Sequence, residues 1–246
     1  MESERSPLDL QRAAIAAYGC RCLSYYEGWH PTSRFFDHLV LSRFRKERLP
    51  ITSGSLWLEV GSGRGQLLDL APPRVRFRRC YLDITWEMLR NCSDGAALAR
   101  ILGTAFRMPL RDSVADGVLS VLGDAFNSAE YFAEAHRILK PAGHLIHVVP
   151  STLWGHQLRH QLGCRLDEAV FVGQSRKRIR APSLLHDVDT LKALLVQGGF
   201  QRIAVEQLYP EEQPLERLPP EVAMVLAARH MKSGSLPVLF VVSARS

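Results

Sequence analysis

The chain has 246 residues, 46% of them hydrophobic and 23% charged, which is typical of a globular protein large enough for one α/β domain. No apolar run approaches the roughly 18 residues of a membrane span, and the first residues lack the pattern of a secretory signal, so a cytoplasmic protein without a membrane span is expected. The formal net charge of +6 permits an anionic partner such as RNA, an acidic carrier protein or an anionic metabolite.

Two amphipathic helices are predicted before the first buried strand. Apolar residues recur at helical spacing within residues 8–30 and again within 33–48, and Pro50 ends the second segment. Cys20 and Cys22 form an isolated C-x-C pair, so no metal site is predicted there. The five cysteines of the chain are scattered, which fits reduced thiols in a cytoplasm.

A glycine-rich turn follows the first buried strand, which is predicted at residues 56–60. Three glycines stand at alternate positions after this strand: Gly61, Gly63 and Gly65. They allow a sharp turn and the close approach of a ligand to the backbone. The N-terminus of a helix predicted at 66–70 would present free N–H groups to that ligand. The pattern indicates a nucleotide-like ligand, but the third glycine comes one residue too early for the nicotinamide fingerprint.

An acidic residue, Asp83, lies near the end of a second strand predicted at residues 78–84. It follows Glu59 by 24 residues, about one helix and one strand further along the chain. A carboxylate at this place can accept hydrogen bonds from both hydroxyls of a ribose. Thr85 is predicted to cap the helix that follows.

The next segments continue the alternation of strand and helix. A strand is predicted at 116–122, a helix at 127–139 and a further strand at 144–150. The sequence Lys-Pro-Ala-Gly at 140–143 is predicted to end the helix, since proline and glycine interrupt it and the lysine suits its negative end.

Taken in order over roughly residues 56–150, these segments resemble the motifs of the class I S-adenosylmethionine-dependent methyltransferases, of the Rossmann-like methyltransferase type 11 group. The E-x-G-x-G-x-G of residues 59–65 resembles their first motif, and residues 83–89 resemble the stretch that begins at their ribose-binding acid. Their G-D-A-x-x-L-P-F segment is matched with Thr104 in the Asp position. Their R-x-L-K-P-G-G-x-L signature is matched with Ala142 in place of its first glycine.

The resemblance implies an α/β fold, a Rossmann-like three-layer αβα sandwich. Its seven-stranded sheet is mostly parallel, and the last strand runs antiparallel between the fifth and the sixth. The resemblance also implies S-adenosylmethionine as cofactor, with S-adenosylhomocysteine as product. The cofactor-binding residues implied by the family motifs are Glu59, Gly61, Ser62, Gly63, Gly65, Asp83, Ile84, Thr104, Ala105 and Ser120.

One structural domain is expected, with a helical cover at residues 1–50 and a cofactor-binding methyltransferase domain at 51–246. Residues 151–186 interrupt the alternation and are predicted to form an insertion after the fifth strand, beginning with a helix at 151–162. Beyond this insertion we predict a helix through 191–196, a strand at 201–208, a helix at 221–231 and a final strand at 236–244.

No catalytic constellation is legible in the sequence, because transfer of an activated methyl group requires a general base only when the nucleophile must lose a proton. Candidates for the substrate pocket are Tyr26 and His30 on the N-terminal cover and His156 beside the insertion. His156 and His160 would share a helix face, but no acidic motif completes a metal site, and none is predicted.

The predicted function is methyl transfer from S-adenosylmethionine to a small-molecule or carrier-bound acceptor, anionic acceptors included. Oxygen is the favoured acceptor atom, with nitrogen and carbon open. Residues 120–123 lack the N/D-P-P-Y/F motif, which argues against enzymes that methylate the amino groups of adenine or glutamine.

Three alternatives remain open. An RNA methyltransferase is favoured by the basic clusters at 43–48, 74–79 and 176–180, although no RNA-binding signature is visible. A non-catalytic binding or scaffold protein of the same fold is supported by Thr104 and Ala142. A nicotinamide oxidoreductase is disfavoured by the glycine spacing.

Overall fold

Two helices are described in the N-terminal part of the computed structural model, α1 (Pro7–Tyr18) and α2 (Pro31–Lys46). The structure describes residues 6–19, 31–172 and 178–246. Ser6 begins α1, because its Oγ accepts a hydrogen bond from the backbone N–H of Asp9 at 3.3 Å. The helix was predicted over 8–30, whereas α1 ends at Tyr18. Residues 20–30 lie outside the described part of the chain.

Strands and helices alternate through the rest of the molecule. The strands of the main sheet are β1 (Leu56–Val60), β2 (Arg78–Asp83), β3 (Ala99–Leu102), β4 (Ala115–Val121), β5 (Leu139–Pro150), β8 (Gln201–Leu208) and β9 (Leu239–Arg245). The remaining helices are α3 (Leu67–Leu70), α4 (Trp86–Leu89), α5 (Ala129–Ile138), α6 (Thr152–Leu162), α7 (Val188–Gln197) and α8 (Pro220–Ala228).

The described strands form a seven-stranded sheet in the order β3-β2-β1-β4-β5-β9-β8. Strands β1 to β5 pair in parallel, whereas β9 runs antiparallel between β5 and β8. The predicted Rossmann-like sheet, with its antiparallel last strand between the fifth and sixth, is confirmed. Because β1, β2 and β4 are parallel, their carboxyl ends meet at one edge of the sheet, where ligands bind in this class of fold.

Two apolar layers cover the two faces of the sheet. Alternate residues of β1 point to opposite faces, so Trp57 joins the layer beneath α2 and α8, while Leu58 joins the layer beneath α5 and α7. All five residues of β1 are buried, as expected for a central parallel strand. The three-layer sandwich is thereby confirmed.

The segment at 140–143 differs from its prediction. Helix α5 ends at Ile138, and β5 begins at once with Leu139, five residues before the predicted start. The pairing with β4 shifts register between Ala115 and Gly117, which accommodates the irregular segment. Ala142 adopts a φ of 62°, in the left-handed region that favours the glycine found in the resembling family.

The insertion contains a two-stranded sheet that the sequence did not predict. After α6, strands β6 (Glu168–Val172) and β7 (Arg178–Pro182) pair in antiparallel fashion. Ile179 and Ala181 of β7 pack against Ala17 of α1, so the hairpin and the N-terminal helix contact each other. Among the described helices, none is both long enough and apolar enough to traverse a bilayer.

Candidate functional site

A cleft of about 950 Å³, part of it open to solvent, lies at the carboxyl ends of β1, β2 and β4. Its floor is the glycine-rich turn, and one side is formed by Leu10, Ala14 and Tyr18 of α1. Most of the predicted cofactor-binding residues line this cleft: Glu59, Gly61, Ser62, Gly63, Asp83, Ile84, Thr104 and Ala105. The sheet topology therefore brings together side chains from three separate motifs.

Two predicted residues do not line the cleft. Ser120 is completely buried in β4, and the next residues, Val121 and Leu122, form the wall instead. Gly65 lies behind the turn, where a Cβ would come within 2.9 Å of the Tyr81 ring. We conclude that Gly65 serves the packing of the turn against β2.

The glycine-rich turn requires its glycines. Gly61, Gly63 and Gly65 have φ values of 65°, 50° and 82°, which side chains with a Cβ rarely adopt. A Cβ on Gly61 would also come within 2.7 Å of the Phe126 ring. The turn thus combines a left-handed backbone with close approach to the segment after β4.

Glu59 holds the turn in place from below. Its carboxylate accepts hydrogen bonds from the backbone N–H groups of Gln66, at 2.9 Å, and Leu67, at 2.8 Å. These N–H groups are therefore not free for a ligand, contrary to the prediction for this helix start. Burial raises the pKa of Glu59 to about 8, although the two backbone hydrogen bonds oppose that rise.

Asp83 joins the end of β2 to the glycine-rich turn. Its Oδ2 accepts the backbone N–H of Gly63 at 3.0 Å, and its Oδ1 accepts the backbone N–H of Thr85, also at 3.0 Å. The Thr85 hydroxyl donates to the same Oδ1 at 3.2 Å. Thr85 occupies the N-cap position of α4 but makes no side-chain cap, so the predicted capping hydrogen bond is wrong. Burial raises the pKa of Asp83.

Thr104 lies on the side of the cleft near β3. Its Oγ1 accepts a hydrogen bond from the backbone N–H of Phe106 at 3.2 Å. A threonine oxygen can accept a second hydrogen bond, so the hydroxyl keeps the capacity expected of it toward a ligand amino group.

Asp37 of α2 is a cleft residue that the sequence analysis missed. It accepts hydrogen bonds from the Nε2 of Gln66 at 2.7 Å and from the guanidinium of Arg64 at 3.1 Å. Burial raises the pKa of this carboxyl. A possible signal was its position as the acidic residue of an otherwise apolar and basic helix, but only the fold places it beside the turn.

The polar atoms of the cleft suit a nucleoside with a charged tail. The Oγ of Ser62 and the Oε1 of Gln66 are buried and have no hydrogen-bond partner among the described residues. Buried polar groups without partners are costly in the absence of a ligand. With Asp83 at one end and Asp37 at the other, the cleft offers groups for ribose hydroxyls and for an ammonium group.

A second cavity, of about 800 Å³ including open solvent, adjoins the first. Tyr18 and Leu122 line both cavities, so the two meet at these residues. Leu122 has a φ of 56°, an unusual conformation for a bulky side chain and one often found at functional sites. The polar groups that line the second cavity include Thr32, Ser33, Asp124, Arg159, Ser183 and Glu221.

Of the predicted catalytic candidates, His156 lies in the described part of the chain and lines neither of these two cavities. Tyr26 and His30 lie outside the described residues, as do Cys20 and Cys22. His156 lines a third, more open cleft together with His186, and burial lowers its pKa. Within the described ranges, no group of three His, Cys, Asp or Glu side chains is arranged to hold a metal ion.

Several residues of the basic clusters are paired within the molecule. Arg43 binds Glu206 and Glu47, and Arg79, which is 12% exposed, binds Asp94 at 2.5 Å. Arg180 binds Glu168, while residues 176 and 177 lie outside the described part. These pairs reduce the positive charge that the clusters present to solvent.

Comparisons with known proteins agree with this geometry. Residues 58–147 match the sequence model of a family described as a methyltransferase domain. No curated protein matches the chain.

Similar solved structures include a complex of the Trm112 methyltransferase activator and a methyltransferase from Haloferax volcanii, with 18% identity, 95% of this chain and 96% of that chain covered, and a TM-score of 0.64. A SAM-dependent methyltransferase from Thermotoga maritima is 19% identical over 94% of this chain and 99% of its own, with a TM-score of 0.64. Geranyl diphosphate C-methyltransferase from Streptomyces coelicolor, in complex with S-adenosylhomocysteine, is 11% identical over 99% and 100%, also with a TM-score of 0.64.

At these identities the similar structures establish the fold, and the family match adds the methyltransferase domain. The family match and the similar structures support the predicted class I S-adenosylmethionine-dependent methyltransferase, and the S-adenosylhomocysteine in the Streptomyces coelicolor complex agrees with the predicted cofactor.

Proposed function

We propose that this class I S-adenosylmethionine-dependent methyltransferase transfers a methyl group to a small-molecule acceptor held in the second cavity. The observation that carries the proposal is the junction of the two cavities at Tyr18 and Leu122. A donor in the first cleft and an acceptor in the second would meet at this junction. Holding two reactants in line is the main task of an enzyme whose methyl donor is already activated.

The chain supplies groups that bind and orient the cofactor. Asp83 would hold the ribose hydroxyls, while Thr104 and Ala105, above β3, would face the adenine. Ser62 and Gln66, whose buried oxygens lack protein partners, would bind the polar tail together with Asp37. Bound in this way, S-adenosylmethionine supplies a methyl group on a positively charged sulfur.

The sheet order supports the orientation of the cofactor. The residues assigned to adenine and ribose follow β3 and β2, which lie on the far side of β1 from β4. The wall near the second cavity, formed by Val121, Leu122, Ala125 and Phe126, lies at the end of β4 and just after it. The nucleoside would therefore lie away from the acceptor cavity, and the reactive end would lie beside it.

The second cavity suits a small acceptor better than a polymer. Much of its wall is apolar, with Phe36, Trp154 and Leu158 among its side chains. Helix α1 lies over the junction and would help exclude water during transfer. Oxygen remains the favoured acceptor atom. An acceptor bound to a carrier would fit the same proposal, and the expected location is the cytoplasm.

The other predicted functions have less support. RNA would need a continuous basic surface, whereas Arg43, Arg79 and Arg180 are each paired with carboxylates. In a scaffold protein that binds no cofactor, the buried oxygens of Ser62 and Gln66 would stay without hydrogen-bond partners, which is energetically costly.

A calorimetric titration of the whole chain with S-adenosylmethionine, S-adenosylhomocysteine, NADH and a short RNA hairpin tests the proposal. We expect micromolar binding of the two adenosyl compounds, about −8 kcal/mol, and no binding of NADH. RNA binding that exceeds S-adenosylmethionine binding and falls steeply with salt would favour the RNA alternative. Absence of adenosyl binding would contradict the enzyme proposal.

A further inference from the structure

We propose that Asp124 is the proton acceptor of the reaction, and that the second cavity selects acceptors whose nucleophile carries a proton, a hydroxyl or an amine, on an apolar skeleton. This inference rests on the proposed methyl transfer and specifies its acceptor. It departs from the sequence analysis, which included anionic acceptors and named no base among the residues after β4.

The position of Asp124 is the first support. It begins a short 3-10 helix, Asp124–Phe126, directly after β4. Its two neighbours, Ala125 and Phe126, line the cofactor cleft, whereas Asp124 itself lines the second cavity. The carboxylate therefore stands on the acceptor side of the segment that separates the two cavities.

The carboxylate is held in a fixed orientation. Ser183 donates its hydroxyl to Oδ2 of Asp124, and Arg159 donates to the Ser183 Oγ at 2.5 Å. Arg159 is 5% exposed and is itself bound to the backbone carbonyl of Leu166. Burial raises the pKa of Asp124, which makes this carboxylate a stronger proton acceptor than an exposed aspartate.

The walls of the cavity fit an apolar body next to a donor group. Phe36 packs edge-on against Trp154 with ring centroids 5.0 Å apart, and Leu158 and Leu185 extend the apolar wall. The indole N–H of Trp154 is buried without a hydrogen-bond partner in the described ranges. That N–H could donate to a polar atom elsewhere on the acceptor.

The charges of the cavity disfavour an anion. Among the described residues that line it, Asp124 and Glu221 contribute two carboxylates, and Arg159 contributes one guanidinium. Arg159 directs its N–H groups to Ser183 and to the backbone, and Glu221 accepts the Thr32 hydroxyl. An acceptor that donates a hydrogen bond would complement this lining, whereas a carboxylate or phosphate would be repelled.

The transfer is a direct displacement at the methyl carbon. A lone pair of the acceptor oxygen or nitrogen forms the bond to the methyl carbon, and the bond from that carbon to sulfur breaks with its electron pair on sulfur. The proton of the acceptor group passes to the Asp124 carboxylate and then to solvent. No oxidant, reductant or further co-reactant is required.

Four matched probes test the selectivity, each titrated calorimetrically into the chain saturated with S-adenosylhomocysteine: 4-propylphenol, 4-propylaniline, 4-propylanisole and 4-propylbenzoate. We expect the phenol or the aniline to bind about tenfold or more tightly than the anisole, which has no proton to donate, and than the anionic benzoate. Binding of the benzoate or the anisole as tightly as the better of the phenol and the aniline would overturn the inference.

Two substitutions place the selectivity on Asp124. Asp124→Ala should remove the preference for the phenol or the aniline over the anisole. Asp124→Asn removes the charge but keeps the shape, so it should reduce the ratio of the affinities for those probes to the affinity for the benzoate at least about fivefold. Asp189→Asn, at an exposed position of α7, serves as the matched control and should leave all four affinities unchanged. An unaltered preference in both Asp124 variants would overturn the inference.

A third variant locates the probes in the cavity. A Cβ at Gly155 would come within 2.2 Å of the Leu185 Cδ1, so Gly155→Ala should push Leu185 into the cavity and weaken the tighter probes several-fold. Unchanged affinities would place the probes elsewhere and contradict the inference.

Binding of S-adenosylhomocysteine separates this inference from the proposed function. If wild type binds S-adenosylhomocysteine and the probes show no preference, this inference alone fails. If wild type does not bind S-adenosylhomocysteine, the proposed function is contradicted.

Discussion

The backbone N–H of Gly63 donates a hydrogen bond to the Oδ2 of Asp83 at 3.0 Å, and this contact ties the glycine-rich turn to the end of the neighbouring strand. The other carboxylate oxygen holds the backbone and hydroxyl of Thr85. Asp83 therefore has two tasks: it fixes the turn that forms the floor of the cleft, and it faces the place proposed for the ribose.

Replacing Asp83 by alanine should weaken S-adenosylhomocysteine binding at least about tenfold, a loss of about 1.4 kcal/mol or more. The variant loses the proposed ribose contacts and the anchor of the turn, so the calorimetric affinity should fall even where circular dichroism shows a folded chain. Asp189→Ala provides the same chemical change at an exposed site and should bind as wild type does. An Asp83→Ala affinity within twofold of wild type would exclude the ribose contact.

The buried carboxyl of Glu59 should make stability depend on pH. Its pKa is raised to about 8 because burial disfavours the charged form. A raised pKa means that the folded state binds the proton more tightly than the unfolded state does. The stabilising contribution is therefore complete below the ordinary value of 4.5 and is lost as the pH rises through about 8.

Denaturant titrations of wild type and Glu59→Gln between pH 4.5 and 8 test this dependence. The free energy of unfolding of wild type should fall relative to that of the variant, with a slope of at most about 1.4 kcal/mol per pH unit. Asp37 and Asp83 also have raised pKa values, but they are common to both proteins, so the difference isolates Glu59. Parallel curves would show that Glu59 keeps its charge on folding.

The close approach of Gly61 to Phe126 should make an alanine harmful at position 61. Gly61→Ala places a Cβ within 2.7 Å of the Phe126 ring in a backbone with a φ of 65°, so both the strain and the collision oppose folding of the turn. We expect a loss of more than about 2 kcal/mol in the free energy of unfolding and weaker cofactor binding.

Gly54 offers the matched control for this experiment. Its φ is 78°, but a Cβ there would meet nothing within 4 Å, so Gly54→Ala carries the backbone strain alone, about 1–2 kcal/mol. Equal losses in stability and binding for the two variants would mean that Phe126 moves aside without cost.

Ala142 adopts a φ of 62° where the resembling family has glycine, so Ala142→Gly should relieve strain. Left-handed backbone costs an alanine about 1–2 kcal/mol, and the greater freedom of glycine in the unfolded chain returns part of that gain. We expect the free energy of unfolding to rise by up to about 1 kcal/mol. Ala133→Gly, at an exposed position within α5, makes the same change in a helix and should lower stability by about 1 kcal/mol. A destabilised Ala142→Gly would contradict the strain assigned to this position.

Much of the lining of the first cleft could be predicted from the sequence because its motifs are local. The strand at 56–60 and the glycine-rich turn depend on side-chain periodicity and on backbone freedom at a few neighbouring residues. The position of Asp83 beside the turn could be predicted because parallel strands place their carboxyl ends at one edge of the sheet. Two predictions in this region were wrong: Glu59 accepts the N–H groups after the turn, and the Thr85 hydroxyl donates to Asp83 instead of capping the helix.

The second cavity could not be predicted, since its parts are distant in the chain. Asp124 meets Ser183 across 59 residues, and Arg159 meets Ser183 across 24. Asp37 of α2 contacts the turn, and the hairpin of β6 and β7 packs on α1. No local sequence pattern predicts these contacts.

The sequence by itself determined the strand–turn–helix order, the glycine spacing and the acidic residue at the end of β2, because these follow from steric rules and periodicities among residues close in the chain. Only the tertiary structure decided that Glu59 faces the turn, that Ser120 is buried beneath the cleft, and that Asp124 stands beside a second cavity. Those arrangements depend on the packing of distant segments and on the competition of buried polar groups for hydrogen-bond partners, which is resolved only when the sheet is assembled.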